Sequence, residues 1–199
     1  MDSKVRFRQA LKKDASFIAE LIAISSDGVA LIEWTEEAEK NAEVSALEVG
    51  ARMYANDHGD YSYRNAVIAE VNGKAVGMLL SFPMGERQSV MPTAPPFDGS
   101  DVFAPYKYLE APNSWYICGV ALLPEYRGQG IGTKLLDIAR QHACNHGFDK
   151  LSLVAFEQNV GSVRLYKRNG YHVVDRAPIV AHPLIHYTGD ALLMVVPVN

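Results

Sequence analysis

Apolar and polar positions alternate through VRFRQA at residues 5–10, which predicts a strand. Ile18, Leu21 and Ile22 then recur at helical spacing behind Asp14, a residue suited to cap a helix start, and SSDG at 25–28 ends the segment. A second amphipathic segment runs from about Glu36 to Tyr54. AVIAEV at 66–71 and AVGMLLSF at 75–82 flank Asn72-Gly73-Lys74. Asn-Gly between apolar runs predicts a hairpin, because both residues tolerate positive φ. From Pro83 to Ser114 the periodicity dissolves into a proline-rich polar stretch, and a connection of that length is expected to be a functional loop or disordered. WYICGVALL at 115–123 is apolar nearly throughout, as a strand covered on both faces is. Leu135, Leu136, Ala139 and Ala143 place a helix over 133–146, with Gly147 as its stop. LSLVAF at 151–156 reads as a buried strand, 159–169 as a helix ending at Gly170, and 171–174 and 191–196 as closing strands. The order β-α-α-β-β-β-α-β-α-β-β predicts an α/β (α+β) fold over residues 1–199 as a single domain, a mixed sheet with helices on both faces.

Composition narrows the function classes. The 199 residues are 48% hydrophobic and 21% charged, which suits a globular domain with a full core. The formal net charge of −4 disfavours a nonspecific grip on nucleic acid. Cys118 and Cys144 form neither a CxxC nor a metal spacing, so reduced cytoplasmic thiols are expected. The first fourteen residues lack the apolar core of a signal peptide, and no stretch approaches the ~20 apolar residues of a membrane span.

One short stretch carries chemistry. In YRGQGIG at 126–132, glycines stand at Gly128, Gly130 and Gly132 where a strand hands over to a helix. Glycine weakens a helix start unless a partner must approach the backbone closely. GxGxxG fails here, because its sixth position is Thr133, and GxxxxGK[ST] fails because Thr133, not lysine, follows Gly132. The physical logic survives both failures: free N–H groups and the positive end of a helix dipole suit a phosphate or diphosphate. The other possibility is a tight turn that binds nothing.

RGQGIG, with Arg127, Gly128, Gln129, Gly130, Ile131 and Gly132, resembles the [RQ]-x-x-G-x-[GA] signature of the GNAT superfamily of acyl-CoA-dependent N-acyltransferases. NVGSVRLYKRNGY at 159–171 is similar to that family's second motif, and the segment 115–174 that holds both is about a third of the chain. The resemblance implies a GNAT-like, largely antiparallel mixed sheet and acetyl-CoA as acyl donor, with no metal. It implies that the amides of Gly128 to Thr133 hold the CoA diphosphate, with Arg127 adding charge or lying solvated. Backbone N–H groups of Val120, Ala121 and Leu122 would face the pantetheine arm and the thioester carbonyl. Asn159 would contact the cofactor, cap a helix, or both. Tyr166 would protonate the departing thiolate, since a phenol of pKa ~10 keeps its proton at neutral pH; a core aromatic is the plainer alternative.

The implied activity is transfer of an acetyl group to a primary amine by direct attack, in the cytoplasm. The acceptor is a small molecule or peptide, neither nucleic acid nor membrane is a partner, and a homodimer is compatible with all of this. A non-catalytic acyl-CoA-binding or sensing domain is the alternative, because no general base is visible. Where some members of the family carry a glutamate, this chain has Val154; Glu110, Glu125, Glu157, His182 and His186 are the other candidates. His182 and His186 have the i, i+4 spacing of a metal pair, yet Pro183 stands between them and no third ligand pattern accompanies them. The segments 28–63 and 83–114 should build the acceptor pocket, with Trp34, Tyr61, Tyr63 and Tyr106 as aromatic candidates.

Overall fold

The protein is described by a computed structural model over residues 5–40, 43–85, 101–103 and 109–198. Most of the long connection at 83–114, Tyr106 included, lies outside the described residues. The elements run β1 (Val5–Gln9), α1 (Ala15–Ser25), α2 (Val29–Glu39), α3 (Ala46–Tyr54), β2 (Ala66–Val71), β3 (Lys74–Met84), β4 (Ser114–Leu122), α4 (Ile131–Asn145), β5 (Lys150–Phe156), α5 (Val160–Arg168), β6 (His172–Pro178) and β7 (Asp190–Pro197). The strands order as β1-β2-β3-β4-β5-β7-β6 in a mixed, mostly antiparallel sheet.

The chain divides into two compact units, Met1–Phe82 with Cys118–Asp137, and Pro83–Ile117 with Ile138–Asn199. In the first unit, β1 pairs antiparallel with β2, and β2 with β3 through the Asn72-Gly73 turn, where φ is 51° and 80°. Its core is Ile18, Leu21 and Ile22 of α1 with Ile68, Met78, Leu79 and Leu80 of the sheet, all nearly inaccessible. Two glycines permit close helix contacts. A Cβ on Gly119 of β4 would stand 2.6 Å from Ile22 Cδ1 of α1, and one on Gly50 of α3 would stand 2.8 Å from the Trp34 ring of α2.

The segment expected as one helix from about Glu36 to Tyr54 is two helices, and the first starts at Val29. Gly28, at φ 97°, turns the chain directly from α1 into α2. Ser45 then opens α3 with a capping box: its hydroxyl accepts from Glu48 N while the Glu48 carboxylate accepts from Ser45 N. Asp14 also differs from expectation. It stands at the α1 start but does not cap with its side chain; its carboxylate accepts from both terminal nitrogens of Arg8, at 2.7 and 3.0 Å, and from Leu11 N. Arg8 in turn donates Nε to Glu70, tying β1 to β2, and the guanidinium holds the Asp14 carboxyl below its ordinary range.

In the second unit β5 pairs with β7 along its whole length, and β7 with β6. β4 runs parallel to β5 through only two pairs, Trp115↔Leu151 and Tyr116↔Ser152. That short contact is fastened by a buried hydroxyl chain: Ser152 donates to Ser114 Oγ at 2.6 Å, and Ser114 donates to Ala111 O. Trp115 packs edge-on against Phe148 and lies 4.7 Å from the His146 ring.

Candidate active site

In the first unit, β4 delivers Val120, Ala121 and Leu122 to a short 3-10 turn at Pro124–Tyr126, from which residues 127–130 lead into α4. Arg127 donates Nε to Leu122 O at 3.1 Å, so its side chain folds back on the strand end. Its two terminal nitrogens make no ion pair among the described residues. Gln129 donates to Glu125 O and braces the turn from outside. Gly128 and Gly130 have φ 75° and 78°, values that glycine adopts without strain. A Cβ on either would meet no protein atom within 4 Å, so the space before the turn is open.

The first backbone bond back into this turn comes from Lys134 N to Gly130 O. Among the described residues no backbone carbonyl accepts from the amides of Ile131, Gly132 or Thr133, and no side chain caps them. An uncapped helix start behind two left-handed glycines is a concave set of donors matched to an anion. The residues present therefore fit the diphosphate of CoA.

Side chains of β4 at even positions share an unusual property. Tyr116, Cys118, Val120 and Leu122 are each partly accessible, although β4 is an interior strand of the sheet order. The pairing with β5 ends at Tyr116, so the backbone of 118–122 has no β5 partner. Backbone polar groups and small apolar side chains at that edge can receive an extended amide-bearing chain. Cys118 is held neutral: desolvation, with the charge of Asp60, pushes its thiol up to about 12.

In the second unit, Asn159 caps α5, its Oδ1 accepting from Ser162 N at 3.2 Å. Tyr166 is the buried residue of this helix, its ring 5.8 Å from that of Tyr171. The other candidates are placed less suggestively. Glu157 pairs with Arg176, and Glu125 stands 3.9 Å from Lys74; both are surface pairs. His182 accepts from Leu184 N through Nδ1, while His186 is exposed. Among the described residues no three His, Cys, Asp or Glu side chains form a metal-holding group, and no helix is long and apolar enough to cross a membrane. Tyr63 donates to Asp57, beside Arg64, and belongs to a surface network. Sequence reasoning missed Tyr54, whose ring lies 6.1 Å from that of Trp34 and 6.5 Å from that of Tyr61. The partners are scattered along the chain without a common period.

A mixed sheet whose central strand ends in an uncapped glycine turn defines a class of acyl-CoA-dependent transferases. The model of the acetyltransferase (GNAT) family matches residues 29–171, and the chain belongs to that family. A mouse thialysine N-epsilon-acetyltransferase is 38% identical over 52 residues, which are 26% of this chain and 31% of that enzyme's length. Among solved structures, an N-acetyltransferase from Staphylococcus aureus Mu50 aligns over 96% of this chain and 100% of its own, with TM-score 0.62 and 18% identity. A Salmonella typhimurium protein assigned as an acetyltransferase, solved with its cofactor acetyl-CoA, aligns over 99% of this chain and 95% of its own, with TM-score 0.59 and 20% identity. At these identities the structural likeness speaks for the fold.

Proposed function

We propose that the protein transfers the acetyl group of acetyl-CoA to a primary amine, by direct attack and without a covalent enzyme intermediate. The observation that carries this is the open, uncapped turn at 128–133, in a chain of this family. Acetyl-CoA supplies the acetyl group as a thioester, an acyl donor that a neutral amine can attack.

The chain's own residues have separable tasks. Amides of the turn hold the diphosphate, and the terminal guanidinium nitrogens of Arg127 add a charge-assisted contact. Backbone N–H groups at 120–122 pair with the pantetheine arm and polarise the carbonyl as its oxygen gains charge. The Tyr166 phenol donates its proton to the leaving sulfur; its position in the stretch 159–171, similar to the family's second motif, supports that role. Asn159 is occupied as a cap, and its cofactor contact would use the rest of its amide. The protein is expected to act in the cytoplasm.

The test combines acetyl-CoA titration by calorimetry with thiol release across a panel of primary amines. Binding and amine-dependent thiol release are expected. Binding without release to any amine would make the domain an acyl-CoA sensor, and absence of binding would overturn the assignment.

A further inference from the structure

We infer that the hydroxyl of Ser81 receives the attacking amine: it accepts a hydrogen bond from the nitrogen and turns the lone pair toward the thioester carbonyl. This rests on the proposed acetyl transfer and adds a residue to its acceptor side.

Ser81 lies on β3 and is 1% exposed, and its Oγ has no hydrogen-bond partner among the described residues. The other buried serines are satisfied: Ser62 donates to Asn56 O at 2.6 Å, and Ser114 and Ser152 bond to each other. A buried hydroxyl left alone costs stability, so one that persists calls for a partner that arrives with a ligand. Trp115 Nε1 is the other such atom, but an indole only donates, and its ring packs against His142, His146 and Phe148 in the second unit. A hydroxyl can also accept, which an amine N–H requires.

Ser81 and residues 118–122 belong to one unit. β3 and β4 are neighbours in the sheet order, and Leu123 N donates to Val76 O at 2.9 Å. Counted antiparallel from that bond, Leu79 comes opposite Val120 and Ser81 opposite Cys118. Glycine contacts fix the faces. A Cβ on Gly77 would run into Leu122 Cδ2, while one on Gly119 would stand 3.2 Å from Met78 Cε and 2.6 Å from Ile22 Cδ1 of α1. Gly77 thus shares a face with Leu122, and Met78 shares the α1 face with Gly119. Side chains alternate along a strand, so Ser81 points to the face of Cys118, Val120 and Leu122, away from α1. Those three side chains of β4 are each partly accessible. Val120 is the diagonal neighbour of Ser81, at about 7–8 Å. The hydroxyl therefore stands a small molecule's width from the N–H groups proposed to hold the carbonyl. No hydrogen bond among the described residues holds its rotamer, so turning toward a ligand costs little.

The reaction has a use for such a group. A neutral primary amine carries two N–H bonds. One proton leaves nitrogen as the N–C bond forms and the C–S bond breaks, and it balances the proton gained by sulfur. The other stays, and Ser81 can hold it through the whole step. The serine itself gains and loses no proton. Cys118, on the facing strand, is a poor substitute, because sulfur is a weak acceptor.

The test uses n-butylamine, benzylamine and glycinamide with acetyl-CoA and the full chain. Ser81→Ala should lower kcat/KM about tenfold for each of these amines that the unmodified protein uses, with acetyl-CoA affinity by calorimetry unchanged. The thermal midpoint should stay or rise, because the variant loses a hydroxyl that the fold leaves unbonded. Ser81→Cys keeps the shape and weakens only the acceptor, so it should lose as much activity as the alanine variant. A lower midpoint in Ser81→Ala would mean that the fold itself uses the hydroxyl and would overturn the inference, as would full kcat/KM in either variant. If acetyl-CoA binds but none of the three amines is used, the role of Ser81 falls while the cofactor site stands. If acetyl-CoA does not bind, the underlying transferase assignment falls first.

Discussion

The strand-to-helix junctions that follow β4 and β5 solve the same problem in opposite ways. Between β5 and α5 the helix start is closed from within. Asn159 takes the Ser162 N–H, and Gln158 reaches across to accept from Thr188 N. Between β4 and α4 the glycines strip side chains from the turn, two of them adopt positive φ, and the first amides of the helix have no partner among the described residues. Every helix start has orphan donors, so the dipole alone distinguishes nothing. The difference lies in who satisfies them: the chain itself at α5 and, under the proposed function, the diphosphate of acetyl-CoA at α4. A side chain does the structural work at one junction and, on that proposal, would obstruct binding at the other.

The largest effect should come from the buried tyrosine beyond the capped junction. Tyr166→Phe keeps the ring and its packing against Tyr171 but removes the phenol proposed as proton donor. A positioned acid is worth ~10²–10⁴-fold, so kcat should drop by that order while acetyl-CoA affinity holds. Equal kcat for both proteins would return Tyr166 to the core. Next comes the open junction. Gly130→Val forces a branched side chain into left-handed backbone and into the open space before the turn, where the diphosphate is proposed to sit. Acetyl-CoA affinity should fall by ~10²-fold or more, since backbone strain of ~1–3 kcal/mol adds to the lost contacts. Calorimetry on the folded variant decides it, and unchanged affinity would show that the turn binds nothing.

The contrast between the junctions also explains what was legible in the sequence. The glycine turn at the start of α4 was legible, because glycines at 128 and 130 permit the positive φ that the structure shows. The Asn72-Gly73 hairpin was equally plain, and its φ values are those the pair permits. Local signals of this kind survive in one dimension. The split between α2 and α3 was also written locally, as Ser45 with Glu48 three residues on, but the helical periodicity around it hid the break. Asp14 was read as a cap because capping is a local habit. Arg8 outbid that role, since a bidentate ion pair across from β1 satisfies the carboxylate better than one amide. Nothing in the order of residues could place the Tyr54 ring between those of Trp34 and Tyr61. That relation exists only once α2 and α3 pack together.

A smaller effect tests whether Arg127 belongs to the open junction or to the strand end it folds against. Its Nε bond to Leu122 O is structural, whereas its outer nitrogens make no ion pair among the described residues. Arg127→Gln should weaken acetyl-CoA about tenfold at low salt, with the loss shrinking as salt rises, because the contact is exposed and charge-assisted. A salt-independent loss would point to the strand end instead.

The smallest effect is also the most direct test of the comparison. Asn159→Ala removes the cap at α5 and leaves the Ser162 N–H to water. A lost N-cap costs ~1 kcal/mol, which chemical denaturation resolves through the shift in midpoint at constant slope. If the closed junction is purely structural, acetyl-CoA affinity stays within about twofold while stability falls by that amount. If the same amide also reaches the cofactor, affinity falls as well, and Asn159→Asp separates the two. Aspartate caps a helix as well as asparagine does, so it restores stability. Its negative charge opposes a neighbouring phosphate, so it cannot restore binding. Recovery of both properties in the aspartate variant would confine Asn159 to the helix. Recovery of stability alone would mean that the second junction, closed as it is, also serves the cofactor.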